Sequence, residues 1–249
     1  MNKRTSNKSE KGRLFRFKQF SLTDQGCAMK IGTDGVILGA WAADFASGKD
    51  YDHILDVGTG CGIIALMVAQ KSTAFIDALE PEQQAAETAL DNFRGSPWSE
   101  RLTLYNCRLQ EFDAQPNVYD LIVSNPPYFQ VNQQASSQER LLARHRLDLS
   151  FEDLFHHSRL MLKDKGALLV ICPAAEQPSM KLCASHGFFE QKKVAIRPHP
   201  TVQPKRVIIE YSFKKKEQPD EIALDIESGQ RHSFSDKYKE LTRDYHPFL

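Results

Sequence analysis

Residues 53–70 read HILDVGTGCGIIALMVAQ, and this stretch decides the fold. Its first five residues predict a short buried strand, and its last eight predict an apolar helix that begins at once. Between them lie Gly58, Gly60 and Gly62. Glycines let the backbone pass close beneath a ligand at the carboxyl end of a strand, where open α/β sheets bind their ligands. The stretch therefore predicts a ligand site at the edge of a sheet.

The spacing of the loop indicates which ligand fits. Gly-x-Gly-x-Gly differs from the Gly-x-Gly-x-x-Gly pattern with which dinucleotide folds seat a pyrophosphate. Asp56 precedes the loop and favours a cationic or amine-bearing ligand. Glu80 ends the next predicted strand, where a carboxylate accepts hydrogen bonds from ribose hydroxyls. A lone glycine loop is also compatible with a simple tight turn. Here, however, the loop stands in a fixed order of strand, loop, helix, strand and Glu80, and this order predicts an S-adenosylmethionine site.

Strands and helices alternate along the rest of the chain. The seven predicted strands are 53–57, 74–79, 101–106, 119–124, 167–172, 188–196 and 206–213. The last two strands, 188–196 and 206–213, have no helix between them. The pattern predicts an α/β fold with a doubly wound, seven-stranded, mostly parallel, Rossmann-like sheet whose last strand is antiparallel.

Three segments are expected along the chain. Residues 1–29 form a basic N-terminal segment, residues 30–213 the main domain, and residues 214–249 a C-terminal extension that packs on the same domain and holds one possible strand. Within the main domain, a helix is expected from Ser150 to about Lys163, with Gly166 as its stop.

The tetrapeptide Asn125-Pro126-Pro127-Tyr128 follows the fourth strand. Asn supplies a side-chain carbonyl acceptor, and proline leaves its own carbonyl free without donating an N–H. Tyrosine supplies a face on which a flat base can stack. The combination suits a planar group that bears an amine, although Asn-Pro-Pro alone also makes a turn. Beside the glycine loop, Asn125, Pro126 and Tyr128 are the predicted catalytic residues.

Composition excludes several classes of protein. The chain has no run of 18 apolar residues, and its polar, basic N-terminus is not a secretory signal, so no membrane span or export is expected. The five cysteines are scattered without a Cys-x-x-Cys pair, and the eight histidines show no ligand spacing. We therefore expect a cytoplasmic protein without a disulfide framework or a metal site.

The net charge is zero, but its distribution is uneven. Residues 1–30 carry eight Lys or Arg against two acids, and residues 192–216 carry eight against one. Two basic segments on a neutral protein fit a phosphate-binding surface. The same charges also fit solvated ends and a solvated hairpin, so charge alone leaves both interpretations open.

With these motifs on one sheet, residues 30–213 resemble a class I S-adenosylmethionine-dependent methyltransferase of the branch that modifies exocyclic amines. A narrower resemblance, to the bacterial tRNA1(Val) adenine N(6)-methyltransferases, covers the whole chain. It rests on residues 17–21, 30–41, 143–145, 204–207 and 238–245. It implies a monomer that methylates the adenine on the 3′ side of the anticodon, in a tRNA anticodon stem-loop.

The resemblance also implies roles for individual residues. The carbonyls of Asn125 and Pro126 bind the amine hydrogens, and Tyr128 and Phe129 stack on a base turned out of the loop. Asn125 also faces the cofactor. Thr33, which opens the first helix, approaches the methionine end of the cofactor. The positive charges of two segments are also candidate phosphate contacts, although each charge alone is compatible with a solvated surface. These candidates are Arg144, His145, Arg146, Lys205, Arg206 and Lys214 to Lys216.

One departure concerns the cofactor's adenine. Related families often carry an acidic residue just after the third strand, where this chain has Arg108. The adenine contact is therefore expected from the backbone amide of Leu109.

Four other functions share parts of this pattern. A protein glutamine methyltransferase shares the tetrapeptide, but such enzymes usually have a helical domain before the core, and only about thirty basic residues stand there in this chain. Methylation of guanine in ribosomal RNA is equally compatible with the motifs. A nicotinamide-dependent oxidoreductase is disfavoured by the glycine spacing, and a non-catalytic RNA-binding module by the intact loop and tetrapeptide.

Overall fold

A computed structural model describes residues 12–127, 149–229 and 233–247. The strands are β1 Leu14–Arg16, β2 Ser21–Thr23, β3 His53–Val57, β4 Phe75–Leu79, β5 Leu102–Tyr105, β6 Tyr119–Ser124, β7 Leu162–Pro173, β8 Phe189–Arg197, β9 Arg206–Ser212 and β10 Asp220–Asp225. The α-helices are α1 Thr33–Ala46, α2 Ile63–Lys71, α3 Gln83–Arg94, α4 Phe151–Met161, α5 Met180–Ser185 and α6 Asp236–Thr242. Short 3₁₀ turns lie at Ser99–Arg101 and Leu109–Glu111.

One large sheet organises these elements. Its strand order is β10-β8-β9-β7-β6-β3-β4-β5, and β1 and β2 form a separate antiparallel pair. The chain leaves β3 toward β4 and β5, then returns to place β6 on the other side of β3. This reversal makes a crevice outside the carboxyl ends of β3 and β6, the usual ligand position in such sheets.

The predicted fold class is confirmed, with one strand more than the seven expected. β9 is antiparallel to both neighbours, β7 and β8, and every other neighbouring pair in the sheet is parallel. The eighth strand, β10, comes from the C-terminal extension and pairs with β8. Among the described residues, none of the helices combines the length and the apolar character needed to cross a bilayer.

The helix expected from Ser150 to Lys163 is shorter than predicted. Its capping box is present, because the Asp153 amide donates to Ser150 Oγ at 3.0 Å, but α4 ends at Met161. Gly166 lies inside β7 rather than at a helix end, near a shift of register against β6. A Cβ there would lie 3.1 Å from the Tyr119 carbonyl oxygen, so this glycine permits close approach of two strands.

Helices cover both faces of the sheet. On one face α1 and α2 pack together, and Gly39 of α1 lets Met67 of α2 approach so closely that an added Cβ would lie 2.6 Å from its sulfur. On the other face Phe155 of α4 packs edge-on to Tyr211 of β9. The α1–α2 contact fixes the two helix N-termini that border the crevice.

The two ends of the described chain meet on α2. Tyr245 is fully buried, and its hydroxyl donates to the Met67 carbonyl at 3.1 Å. Its own carbonyl accepts from the Lys18 amide at 2.9 Å. The C-terminal residues thereby hold both α2 and the N-terminal segment that leads into α1.

Replacing Tyr245 with Ala tests this anchor. The change removes a fully buried ring, so we expect the free energy of unfolding to fall by about 3–5 kcal/mol. Tyr245→Phe keeps the ring and loses only the hydrogen bond, at a cost of about 1 kcal/mol. Guanidinium unfolding measures both variants. Equal losses for the two would show that the ring does not anchor the fold.

Candidate active site

A cavity of about 550 Å³ opens at the carboxyl ends of β3, β4 and β6. Its size falls in the range of small-molecule sites. Five parts of the chain line it together with Leu149: residues 27–35, the glycine loop, the end of β4 with the start of α3, the 107–109 turn, and Asn125 with Pro127. The crevice predicted from the topology is therefore a real pocket, and both sequence motifs border it.

The glycine loop forms the floor of the cavity. Gly58, Gly60 and Gly62 have φ values of 75°, 58° and 86°, which side-chain-bearing residues rarely adopt. A Cβ on Gly58 or Gly60 would meet no atom within 4 Å, because both face the open cavity. Gly62 faces the protein instead, and a Cβ there would overlap the Phe93 ring. Two glycines thus leave room for a ligand and the third allows close packing.

Asp56 lies beneath the loop and does not border the cavity. Its Oδ2 accepts from the Thr59 hydroxyl at 2.6 Å and from the Ala65 amide at 3.2 Å. It therefore joins the loop to the first turn of α2. Burial raises the pKa of Asp56 to about 7, although both hydrogen bonds act in the opposite direction.

Glu80 borders the cavity at the end of β4 and is 8% exposed. Its Oε2 accepts from the Gly60 amide at 2.8 Å, and its Oε1 accepts from the Glu82 amide at 3.0 Å. Burial raises the pKa of Glu80, while the two amides oppose the shift. Each carboxylate oxygen has a second lone pair, so Glu80 can brace the loop and still accept from a ligand.

Asn125 reaches the cavity from the end of β6. The preceding residue, Ser124, is fully buried and donates its hydroxyl to the Val57 carbonyl at 3.0 Å, which ties the end of β6 to the end of β3. Pro127 also lines the cavity, whereas Pro126 is buried and does not. Tyr128, Phe129, Arg144 and His145 lie outside the described residues.

The N-terminus of α1 and the residues before it form a wall of the cavity, and the sequence indicated only its α1 end. Thr33 lines this wall as expected, but so do Cys27 to Ile31. Asp24, which is buried, holds the segment because its carboxylate accepts from the amides of Arg13 at 3.0 Å and Ile31 at 3.4 Å. These residues show no periodic pattern, so only the structure reveals them.

Asn92 of α3 joins this wall to the glycine loop. Its Nδ2 donates to the carbonyls of Thr23 at 2.9 Å and Cys61 at 2.8 Å, and its Oδ1 accepts from the Thr23 amide at 3.0 Å. The opposite end of the cavity holds Leu109, which is buried, with Cys107 and Arg108 beside it. The site is therefore built from groups far apart in sequence but tied by hydrogen bonds.

Of the candidate phosphate contacts, Arg144, His145 and Arg146 lie outside the described residues, and the structure separates the others into two groups. Because β9 is antiparallel, Lys205 and Arg206 stand at the carboxyl edge, whereas Lys214 to Lys216 lie at the opposite edge, about 20 Å away. Lys205 is exposed. Arg206 instead donates its Nε to Asp34 Oδ2 at 2.7 Å. Within the described ranges, no cluster of three His, Cys, Asp or Glu side chains is placed to bind a metal.

Comparison with known proteins gives three relevant similarities. The Methyltransferase small domain family matches residues 44–195. A protein named tRNA1(Val) (adenine(37)-N6)-methyltransferase from Christiangramia forsetii is 40% identical over 240 residues, 93% of this chain and 97% of that protein. One of the same name from Parabacteroides distasonis is 38% identical over 93% of this chain and 97% of its own length.

A solved structure supports the fold alone. The crystal structure of a predicted O-methyltransferase from Agrobacterium tumefaciens aligns with a TM-score of 0.64 at 18% identity. The alignment covers 85% of this chain and 96% of that one.

Gly62→Ala tests the packing of the glycine loop. We expect it to lower the free energy of unfolding by about 2–4 kcal/mol, because left-handed strain adds to overlap with Phe93. Gly48→Ala is the matched control: its φ is 70°, and its Cβ would meet nothing within 4 Å. It should cost about 1–2 kcal/mol. Chemical unfolding measures the free energy of unfolding of both variants. If both lose the same amount, overlap with Phe93 does not contribute to the cost of Gly62→Ala.

The raised pKa of Asp56 predicts a pH-dependent stability. Because the folded pKa of about 7 exceeds the ordinary value of 3.8, the stabilisation is complete below about pH 4 and is lost as the pH rises through 7. Asp56→Asn mimics the neutral acid and lacks this titration. The free energy of unfolding of the native chain, minus that of the variant, should be larger at pH 5 than at pH 8. A difference that does not change with pH would contradict the raised pKa.

Proposed function

Because the chain belongs to the Methyltransferase small domain family, and within it to the tRNA1(Val) (adenine(37)-N6)-methyltransferases, we propose that it methylates N6 of adenine 37 in tRNA1(Val). The resemblance drawn from the sequence is thereby confirmed. The observation that carries the proposal is that one cavity is bordered both by Glu80 with the glycine loop and by Asn125.

The residues around the cavity fit S-adenosylmethionine. Gly58 and Gly60 leave open space where side chains would project, and Glu80 offers carboxylate lone pairs to ribose hydroxyls. The backbone amide of Leu109, which lines the cavity, remains the expected contact for the adenine ring, and Thr33 with the N-terminus of α1 suits the methionine carboxylate. Asp56 and Gly62 support this site from beneath the loop. When bound, this cofactor supplies an electrophilic methyl group on a sulfonium.

The protein residues must make the adenine amine more nucleophilic. The lone pair of the adenine amine is delocalised into the ring, which makes it a poor nucleophile. In the proposed mechanism the Asn125 side-chain carbonyl and the Pro126 backbone carbonyl accept the two amine hydrogens. They stabilise positive charge as it develops on nitrogen, and they hold that nitrogen in line with the methyl group. The methylated ammonium is acidic enough to lose its proton to water.

Recognition of the RNA is assigned to residues around this centre. Tyr128 and Phe129, three and four residues after Asn125 in the sequence, would stack on the flipped base. Arg144, His145 and Lys205 would contact backbone phosphates, and Lys205 is exposed at the same sheet edge as the cavity. Such contacts position the anticodon stem-loop but carry no sequence information.

Transfer of a labelled methyl group tests the substrate class. The chain is incubated with labelled S-adenosylmethionine and, in parallel, bulk tRNA, ribosomal RNA and release factor. We expect label only in tRNA, and nucleoside mass spectrometry should identify N6-methyladenosine. Label in release factor alone would indicate methylation of a protein glutamine. Label in guanine of ribosomal RNA would indicate a ribosomal RNA guanine methyltransferase. Either result would contradict the proposal.

Asn125→Ala tests the amine clamp. Removal of the acceptor should lower kcat for tRNA by about 100-fold or more, since one preorganised electrostatic contact is lost. Cofactor affinity, measured by calorimetry, should remain nearly unchanged. Asn125→Asp, which keeps an acceptor oxygen of the same reach, is the matched control and should retain more activity. Full activity in Asn125→Ala would exclude the mechanism.

A further inference from the structure

The N-terminal turn of α1 is a wall of the cavity that lacks a side-chain cap. Its N-cap residue, Gly32, makes no side-chain hydrogen bond, and Gly32, Thr33, Asp34 and Gly35 all line the cavity. The first amides of a helix have no partner within the helix. Among the described residues, no acceptor is present for the amides of Thr33, Asp34 or Gly35. These amides are therefore available to donate hydrogen bonds to a ligand. How well they bind it depends on how firmly the N-terminal turn of α1 is held in place.

Arg206 ties this turn to the sheet. Its Nε donates to Asp34 Oδ2 at 2.7 Å, across 172 positions of sequence. Asp34 borders the cavity, whereas Arg206 does not. The guanidinium therefore reaches a group in the cavity wall rather than the cavity itself. Both side chains are 35% exposed, so the pair is partly shielded from solvent.

Arg206 is a rigid anchor because of its place in the sheet. It begins β9, the antiparallel strand, and its backbone is flanked by Pro173 of β7 on one side and Ile196 of β8 on the other. The next residue, Val207, is buried. Because the sheet already orders the Arg206 backbone, pairing with Asp34 has to order only the side chain, whereas a loop residue would also lose backbone freedom.

We propose that Arg206 is a positioning residue for the methyl donor: it orients the N-terminal turn of α1 through Asp34, and it does not contact a tRNA phosphate. This inference rests on the proposed function, because it names the group held by that turn as the methionine end of S-adenosylmethionine. It gives Arg206 a different role from the phosphate contact for which the sequence made it a candidate. Lys205, its exposed neighbour, remains the phosphate candidate at this edge.

Calorimetry without RNA tests the proposal. S-adenosylhomocysteine is titrated into the native chain and into Arg206→Ala, Asp34→Asn and the double variant. Each single change should weaken binding by about fivefold, and the double variant should bind no more weakly than the weaker single one, because both remove the same pair. Arg206→Lys, which keeps the charge but loses the directed Nε contact, should recover part of the affinity.

A second measurement reports how well ordered the N-terminal turn of α1 is. Amide hydrogen exchange at residues 32–36 of the free protein should quicken in Arg206→Ala and Asp34→Asn, while the melting temperature and the KM for tRNA stay near the native values. Lys215→Ala is the charge-matched control, because it removes one cation from the opposite edge of the sheet. It should alter neither the affinity for S-adenosylhomocysteine nor the amide exchange at residues 32–36.

The outcomes separate this inference from the proposed function. Unchanged cofactor affinity together with a raised KM for tRNA in Arg206→Ala would make Arg206 a phosphate contact and overturn the inference. Losses that add in the double variant would also overturn it, because the two residues would then act independently. If the native chain binds neither S-adenosylmethionine nor S-adenosylhomocysteine, the proposed function itself fails.

Discussion

The carboxylate of Glu80 is the interaction on which the rest of the site depends. It accepts one amide from the glycine loop and one from the start of α3, so a single side chain joins β4, the loop after β3 and the helix that follows. Three left-handed glycines shape this loop, and the amides of Gly58 and Thr59 also hold it by donating to the Leu79 carbonyl at 2.9 Å each. Asp56 supports the same loop from below. The two acids thus hold the loop that forms the floor of the cavity from two sides.

Local patterns predicted much of this arrangement. The glycines, Asp56 and Glu80 stand at fixed places relative to two strands, and parallel strands bring their carboxyl ends to one edge, so the loop and Asn125 were predicted to meet. The order of strands and helices likewise predicted the parallel sheet. The predicted helix end at Gly166 was wrong. A glycine often ends a helix, but Gly166 lies in β7 and allows that strand to approach β6. The eighth strand was weakly marked in the sequence and gains its place only by pairing with β8.

Other parts of the site depend on contacts that sequence spacing does not encode. Asp24, Asn92 and the Asp34–Arg206 pair connect residues between 7 and 172 positions apart. Arg206 shows the difference most clearly: its charge pattern indicates a phosphate contact, and its geometry indicates a support for α1. The sequence shows how many cationic residues a segment contains. Only the structure shows which of them form ion pairs within the protein.

A crystal structure of the chain with S-adenosylhomocysteine tests the central claim most directly. The account predicts that the ligand fills the cavity, with its ribose hydroxyls within hydrogen-bond distance of Glu80 and its sulfur facing Asn125. Glu80 should keep its bonds to the Gly60 and Glu82 amides. A ligand bound elsewhere, or one whose ribose lies away from Glu80 or whose sulfur faces away from Asn125, would contradict it.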